Sequence, residues 1–174
     1  MDPMKDRFQA ALTFHQFLES SQDGTHPWET FYARARVPED LLERARNLEE
    51  RWHLLALCEE WCGDGANSLP YLARLAEDVP NLELRLLSRD ENPDLMDRHL
   101  TDGARTIPVV MVLDEDFREV AWWGARPAPL QEMFLREIKR LPQPERYPRL
   151  RAWYARDGGR SVLEEILDRI PVSV

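Results

Sequence analysis

The sequence predicts an α/β fold, a central mixed β-sheet flanked by helices, with helical extensions at the N- and C-terminal ends. Three observations predict it. Two short apolar runs, "WHLLALC" (52–58) and "LELRLLS" (82–88), enclose a stretch with helical periodicity, which is the pattern of a β-α-β unit. Two β-rich runs, 109–113 and 117–123, are separated by an acidic turn, which is a hairpin signature. The segments before residue 51 and after residue 140 carry helical patterns only.

Taken in order, Phe8, Ala11, Leu12, His15 and Leu18 fall at helical spacing and predict one helix over 5–20. "SSQDGTHP" (20–27) then reads as a loop. Pro38-Glu39-Asp40 opens a second helix whose apolar face is Leu41, Leu42, Ala45 and Leu48. The first strand, 52–58, is apolar throughout and bounded by charge, as a buried strand of a mostly parallel sheet would be. From Gly65, the spacing of Leu69, Leu72, Ala73 and Ala76 predicts the helix that leads to the second strand. Asn92 as N-cap and Pro93 at the first helical position make "RDEN" a strand-to-helix connection rather than an acid cluster. After the hairpin a helix is predicted from Pro129 to about Arg140. Pro142, Pro144 and Pro148 read as a linker, followed by two short helices around Asp157-Gly158-Gly159. The organisation is one globular domain: an N-terminal helical extension (1–50), the α/β unit (51–140) and a C-terminal helical tail (141–174) packed on it or offering a dimer face.

Composition narrows the function. A formal net charge of −9 argues against nucleic acid or an anionic membrane as partner, because both are polyanions. Of the 23 basic residues only Lys5 and Lys139 are lysines, and the arginines are scattered rather than clustered. No run approaches the ~20 apolar residues of a membrane span, and the first residues lack a signal-like apolar core. A soluble, cytoplasmic protein is expected, and with only two cysteines in such a compartment a reactive role outweighs a structural one.

Both cysteines lie in "CEEWCGDG" (58–65), at the junction of the first strand and the following helix. With "TIP" (106–108) just before the hairpin and the β-α-β-α-β-β-α order, this resembles the thioredoxin superfamily, over roughly residues 50–140. Trp61-Cys62-Gly63-Asp64-Gly65 aligns with the family's W-C-G-P-C motif, Pro70 with the proline of its active-site helix, and Pro108 with its cis-proline. Gly124 stands where the family has a glycine after the hairpin. "LLSRDENPDLMDRHLTDGARTIPVVMVLD" and the leading helices further resemble an uncharacterised bacterial thioredoxin-like family whose usual motif is W-C-G-D-C. Gly65 is then the departure, and Ala56, where thioredoxin carries a buried aspartate, is a second. Both fall on the half of the mechanism that resolves the mixed disulfide.

The resemblance implies a thiol–disulfide oxidoreductase in which Cys62 alone is the nucleophile. Its substrates would be protein or small-molecule disulfides, and a low-molecular-weight thiol such as glutathione would act as co-substrate in place of a bound cofactor. Trp61, Gly63, Thr106, Ile107 and Pro108 would contact substrate. A helix N-terminus favours the Cys62 thiolate, whereas the Asp64 carboxylate competes for the same N–H groups and repels it, unless Asp64 is a plain first-turn helix acid. Asp64 and Gly65 are therefore the modulating positions.

Cys58 is a candidate second thiol, but an extended strand followed by a turn does not readily bring two Cα atoms within the ~7 Å that a disulfide needs, so a buried small side chain is its default reading. No metal site is expected: alternation puts His53 on the opposite face from Cys58, and no further ligand is near in sequence. His15, His26 and His99 lack acidic or cysteine partners in local sequence, and of the adjacent Trp122 and Trp123 one should be core. The competing reading is a non-catalytic protein-binding module using the same groove. Monomer and homodimer are both compatible with the sequence.

Overall fold

The structure, a computed structural model, describes residues 2–21, 24 and 26–172. Four strands form one sheet in the order β2-β1-β3-β4. β1 (Trp52–Cys58) runs parallel to β2 (Leu82–Ser88) and antiparallel to β3 (Val109–Leu113), which pairs with β4 (Glu119–Gly124) in an antiparallel hairpin. The mixed sheet predicted from sequence is the one observed. All seven residues of β1 are buried, because it lies between two strands and under helices on both faces. Burial of each of its leucines contributes roughly 1.5–3 kcal/mol.

Helices α1 (Pro3–Ala10), α2 (Phe14–Ser20), α3 (Trp28–Arg34) and α4 (Glu39–Arg46) precede the sheet. The single helix predicted over 5–20 is in fact two. Thr13 caps α2 through a reciprocal capping box with Gln16, and Leu12 pairs with Leu86 in a short bridge that covers the edge of β2. Three residues of the predicted loop, 22, 23 and 25, lie outside the described residues. Helix α3 was not predicted, although Trp28, Phe31, Tyr32 and Ala35 follow the i, i+3, i+4, i+7 spacing of an apolar helical face.

The β-α-β unit is completed by α5 (Gly63–Glu77), which begins two residues earlier than predicted. A five-residue α6 (Pro93–Asp97) starts at Pro93, though the Asn92 side chain donates to the Ser88 carbonyl (2.8 Å) instead of capping it. After the hairpin, α7 (Ala128–Arg136) gives way to a 3₁₀ turn, Ile138–Arg140. The segment predicted as a proline linker is helical. α8 spans Gln143–Asp157, with Pro144 in the first turn, where no N–H is required, and Pro148 costing a single rung. α9 (Arg160–Asp168) buries Val162, Leu163, Ile166 and Leu167 against the same chain, so the apolar face of the tail is satisfied within the molecule. Trp123 is fully buried and Trp122 only partly, as their alternation requires.

Candidate active site

The site forms where β1 ends and α5 begins. A turn closed by Cys62 N–H donating to the Glu59 carbonyl (3.0 Å) folds the chain back immediately after Cys58. Cys62 is the N-cap residue of α5, and its Sγ accepts a hydrogen bond from the Gly65 N–H at 3.3 Å. The thiol thereby takes the place of the Ser or Asp oxygen that usually satisfies a first-turn N–H. From the other side the Ile107 carbonyl lies 3.4 Å from Sγ, as acceptor of the thiol proton, and the Ile107–Pro108 peptide bond is cis. Cys62 is only 5% exposed. Thr106, one residue further from the thiol, donates its N–H to the Ala104 carbonyl (2.9 Å).

Behind Cys62 lies Cys58, which is also buried. A Cβ built on Gly65 would overlap the Cys58 sulfur, with Trp28 Cη2 at 3.2 Å and the Cys62 sulfur at 3.5 Å. The two sulfurs thus border one point in space, and that point is left open by the missing side chain of Gly65. Burial pushes the Cys58 thiol well up, reinforced by a hydrogen bond with Cys62 and by the nearby Cys62 charge. The sequence argument took an extended strand followed by a turn to hold the two cysteines apart; the turn at 59–62 is tight enough to fold the chain back, and the Cys58 and Cys62 side chains meet.

Asp64 does not contend with Cys62 for N–H groups. Its Oδ1 accepts from Arg126 Nε (3.0 Å) and from the Tyr154 hydroxyl (2.7 Å), and both partners arrive from outside the local motif. Arg126 also donates to Gln131 Oε1 (3.0 Å) and lies 4.1 Å from the Phe134 ring centroid. The tyrosine is held well above its usual range by burial and then by the Asp64 charge. The acid is therefore a buried ionic link from the start of α5 to the hairpin and the C-terminal helices.

Trp61 is 47% exposed, with the Arg89 guanidinium 4.9 Å from its ring centroid. Gly63 lies under the Tyr147 ring, which a Cβ there would overlap, and His26 Cε1 would stand 3.3 Å from that Cβ. Asn67 Nδ2 bonds the Tyr147 hydroxyl (3.0 Å) and the Gly63 carbonyl (2.8 Å), while His26 Nε2 is 3.1 Å from the Trp61 carbonyl. Trp28 donates its indole N–H to the Glu60 carbonyl (2.8 Å). Sequence reasoning missed Trp28, His26, Arg126, Tyr147 and Tyr154. Only Trp28 had a local signal, the helical stripe of α3; the others come from positions far along the chain.

His53 sits against Phe8 and Phe117 with Nδ1 3.0 Å from the Asp114 carbonyl, away from both cysteines. Among the described residues, no group of three or more His, Cys, Asp or Glu is arranged to hold a metal ion. His99 and His15 have acidic partners that the local sequence did not reveal, Glu119 (2.7 Å) and Glu77 (3.1 Å).

Residues 11–142 match a family model described as thioredoxin. No curated protein sequence matches the chain. Among solved structures, a protein of unknown function from Pseudomonas aeruginosa shares 24% identity with a TM-score of 0.75, covering 97% of both chains. An HIV epitope-scaffold shares 22% identity with a TM-score of 0.72, covering 95% of each. These two likenesses speak to the fold. The family match spans most of the sequence, including the β1–α5 junction and the Pro108 loop, and the chain belongs to the thioredoxin family.

Proposed function

We propose that the protein is a thiol–disulfide oxidoreductase whose nucleophile is Cys62. The observation that carries this reading is the position of its sulfur, bonded to the Gly65 N–H at a helix start and next to the Ile107 carbonyl of the Pro108 loop. The helix terminus stabilises developing negative charge on sulfur, and the loop gives an extended substrate strand a surface beside it. The Cys62 thiolate attacks one sulfur of a disulfide. A Cys62–substrate disulfide forms, the substrate S–S bond breaks, and the other substrate sulfur leaves as a thiolate that takes a proton from solvent. Exposed Trp61 supplies apolar contact for the incoming chain. Protein or small-molecule disulfides are the substrates, in the cytoplasm. A low-molecular-weight thiol such as glutathione releases the adduct wherever no thiol of the chain itself reaches it.

The burial of Cys62 favours a second reading, a non-catalytic binding module that uses the same groove. Alkylation separates the two. Peptide mass spectrometry of the folded protein is expected to find Cys62 alkylated faster than in the unfolded chain, and a disulfide probe should leave a trappable Cys62 adduct. A Cys62 that reacts no faster than in the unfolded chain, with partners equally well retained by Cys62→Ser, would establish the binding module instead.

A further inference from the structure

Resting on the reading of Cys62 as nucleophile, we infer that Cys58 is the resolving thiol, a second cysteine supplied by the end of β1 because Gly65 vacates its usual place on α5. The geometry makes the two positions alternatives. A side chain at Gly65 would start inside the volume that the Cys58 sulfur fills, and the same point lies 3.5 Å from the Cys62 sulfur. The thiol is thus delivered from the strand to the side of Cys62 where a helix-borne cysteine would stand. Glycine at this helical position, where it otherwise costs ~1 kcal/mol relative to alanine, leaves that volume to the Cys58 sulfur.

Chemically, the resolving step breaks the Cys62–substrate bond and forms a Cys58–Cys62 disulfide. Cys58 attacks the Cys62 sulfur, the remaining substrate sulfur leaves as a thiolate, and the proton given up by Cys58 ends on it. Two electrons and two protons pass from the cysteine pair to the substrate disulfide, which emerges as two thiols. The oxidised pair is returned to the reduced state by an external thiol or dithiol reductant.

The environment of Cys58 orders these events. Its thiol is held protonated by burial, by its hydrogen bond with Cys62 and by the Cys62 charge. Formation of the mixed disulfide consumes the Cys62 thiolate and removes the last two influences, so Cys58 becomes easier to ionise only when there is an adduct to resolve.

The test uses the aromatic disulfide 5,5′-dithiobis(2-nitrobenzoate) on the reduced full-length protein. The parent is expected to release two equivalents of nitrothiobenzoate and to end lighter by two hydrogens, with the 58–62 peptide internally crosslinked. Cys58→Ala should release one equivalent and hold the Cys62 adduct at least about tenfold longer. A parent adduct as long-lived as that of Cys58→Ala, with no internal disulfide, would overturn the role of Cys58 while leaving Cys62 as nucleophile. Absence of any Cys62 adduct in both proteins would overturn the nucleophile reading and this inference with it. The mass of the oxidised parent decides the question even if Cys58→Ala folds poorly.

Discussion

The Cys58 sulfur occupies the space into which a side chain on Gly65 would project, so these two positions compete for one volume beside Cys62. Restoring a cysteine at Gly65 therefore differs from what the motif alone suggests, a straightforward gain of dithiol activity. Gly65→Cys is expected to destabilise the protein by about 1–3 kcal/mol through overpacking against Cys58 and Trp28. The paired change Cys58→Ala/Gly65→Cys should recover most of that loss and carry the dithiol in the W-C-G-D-C arrangement. Urea unfolding of both variants, with insulin-disulfide reduction driven by dithiothreitol, checks it: additive destabilisation in the pair would show that the two sites do not share space.

Asp64 and Arg126 form a pair whose side chains are each only 11% exposed. Removing one partner of a buried pair strands the other charge, so Asp64→Ala is expected to lose about 3 kcal/mol. Tyr154→Phe removes a single hydrogen bond to the same carboxylate and should cost less, about 1–2 kcal/mol. Denaturant midpoints of the two variants test the ordering. Equal losses would mean that the carboxylate is held mainly by the tyrosine.

Tyr147 lies over Gly63 and is tied to α5 through Asn67, beside a nearly buried Cys62. Tyr147→Ala should open the cover and raise the alkylation rate at Cys62 several-fold, while Cys58, shielded by β1 and α5, keeps its protection. The ratio of the two rates distinguishes local opening from general destabilisation. A parallel rise at both cysteines would assign the effect to unfolding.

His99 is buried, and burial opposes its charged form, but the Glu119 hydrogen bond, the Leu95 carbonyl and the Glu119 charge outweigh it and raise its pKa above the ordinary value. A raised folded-state pKa contributes stability that is complete below the unfolded value, ~6.5, and is lost as pH climbs through the folded value. Thermal melts of the parent and Glu119→Gln should therefore differ most below about pH 6.5 and converge as pH rises through the folded value. A gap that stays constant across that range would show that His99 does not titrate in the folded protein.

The four strands, α5 and the placement of Cys62 at its start were legible from sequence because each rests on local pattern: apolar runs at strand length, helical spacing, and a motif at their junction. The capping box at Thr13-Gln16 was equally local, yet the hydrophobic periodicity across Ala11 and Leu12 masked it. Proline misled at Pro144 and Pro148 because its cost depends on where in a helix it falls, and that position is set once α8 docks.

By itself, the sequence determined which residue sits at the helix start, what the motif lacks, and that the chain would build a mixed sheet around it. What surrounds Cys62 was decided by tertiary structure alone. Cys58 reaches it because the chain turns back at 59–62, and Arg126, Tyr147 and Tyr154 arrive from positions far along the chain that no spacing rule connects to the motif.

 Counted from the α5 residues they contact, the separations are 62 residues from Asp64 to Arg126, 90 from Asp64 to Tyr154 and 80 from Asn67 to Tyr147. Local propensity and spacing act over a few residues, whereas burial and ion pairing act between any groups the fold brings together, so only the folded chain could assemble this environment.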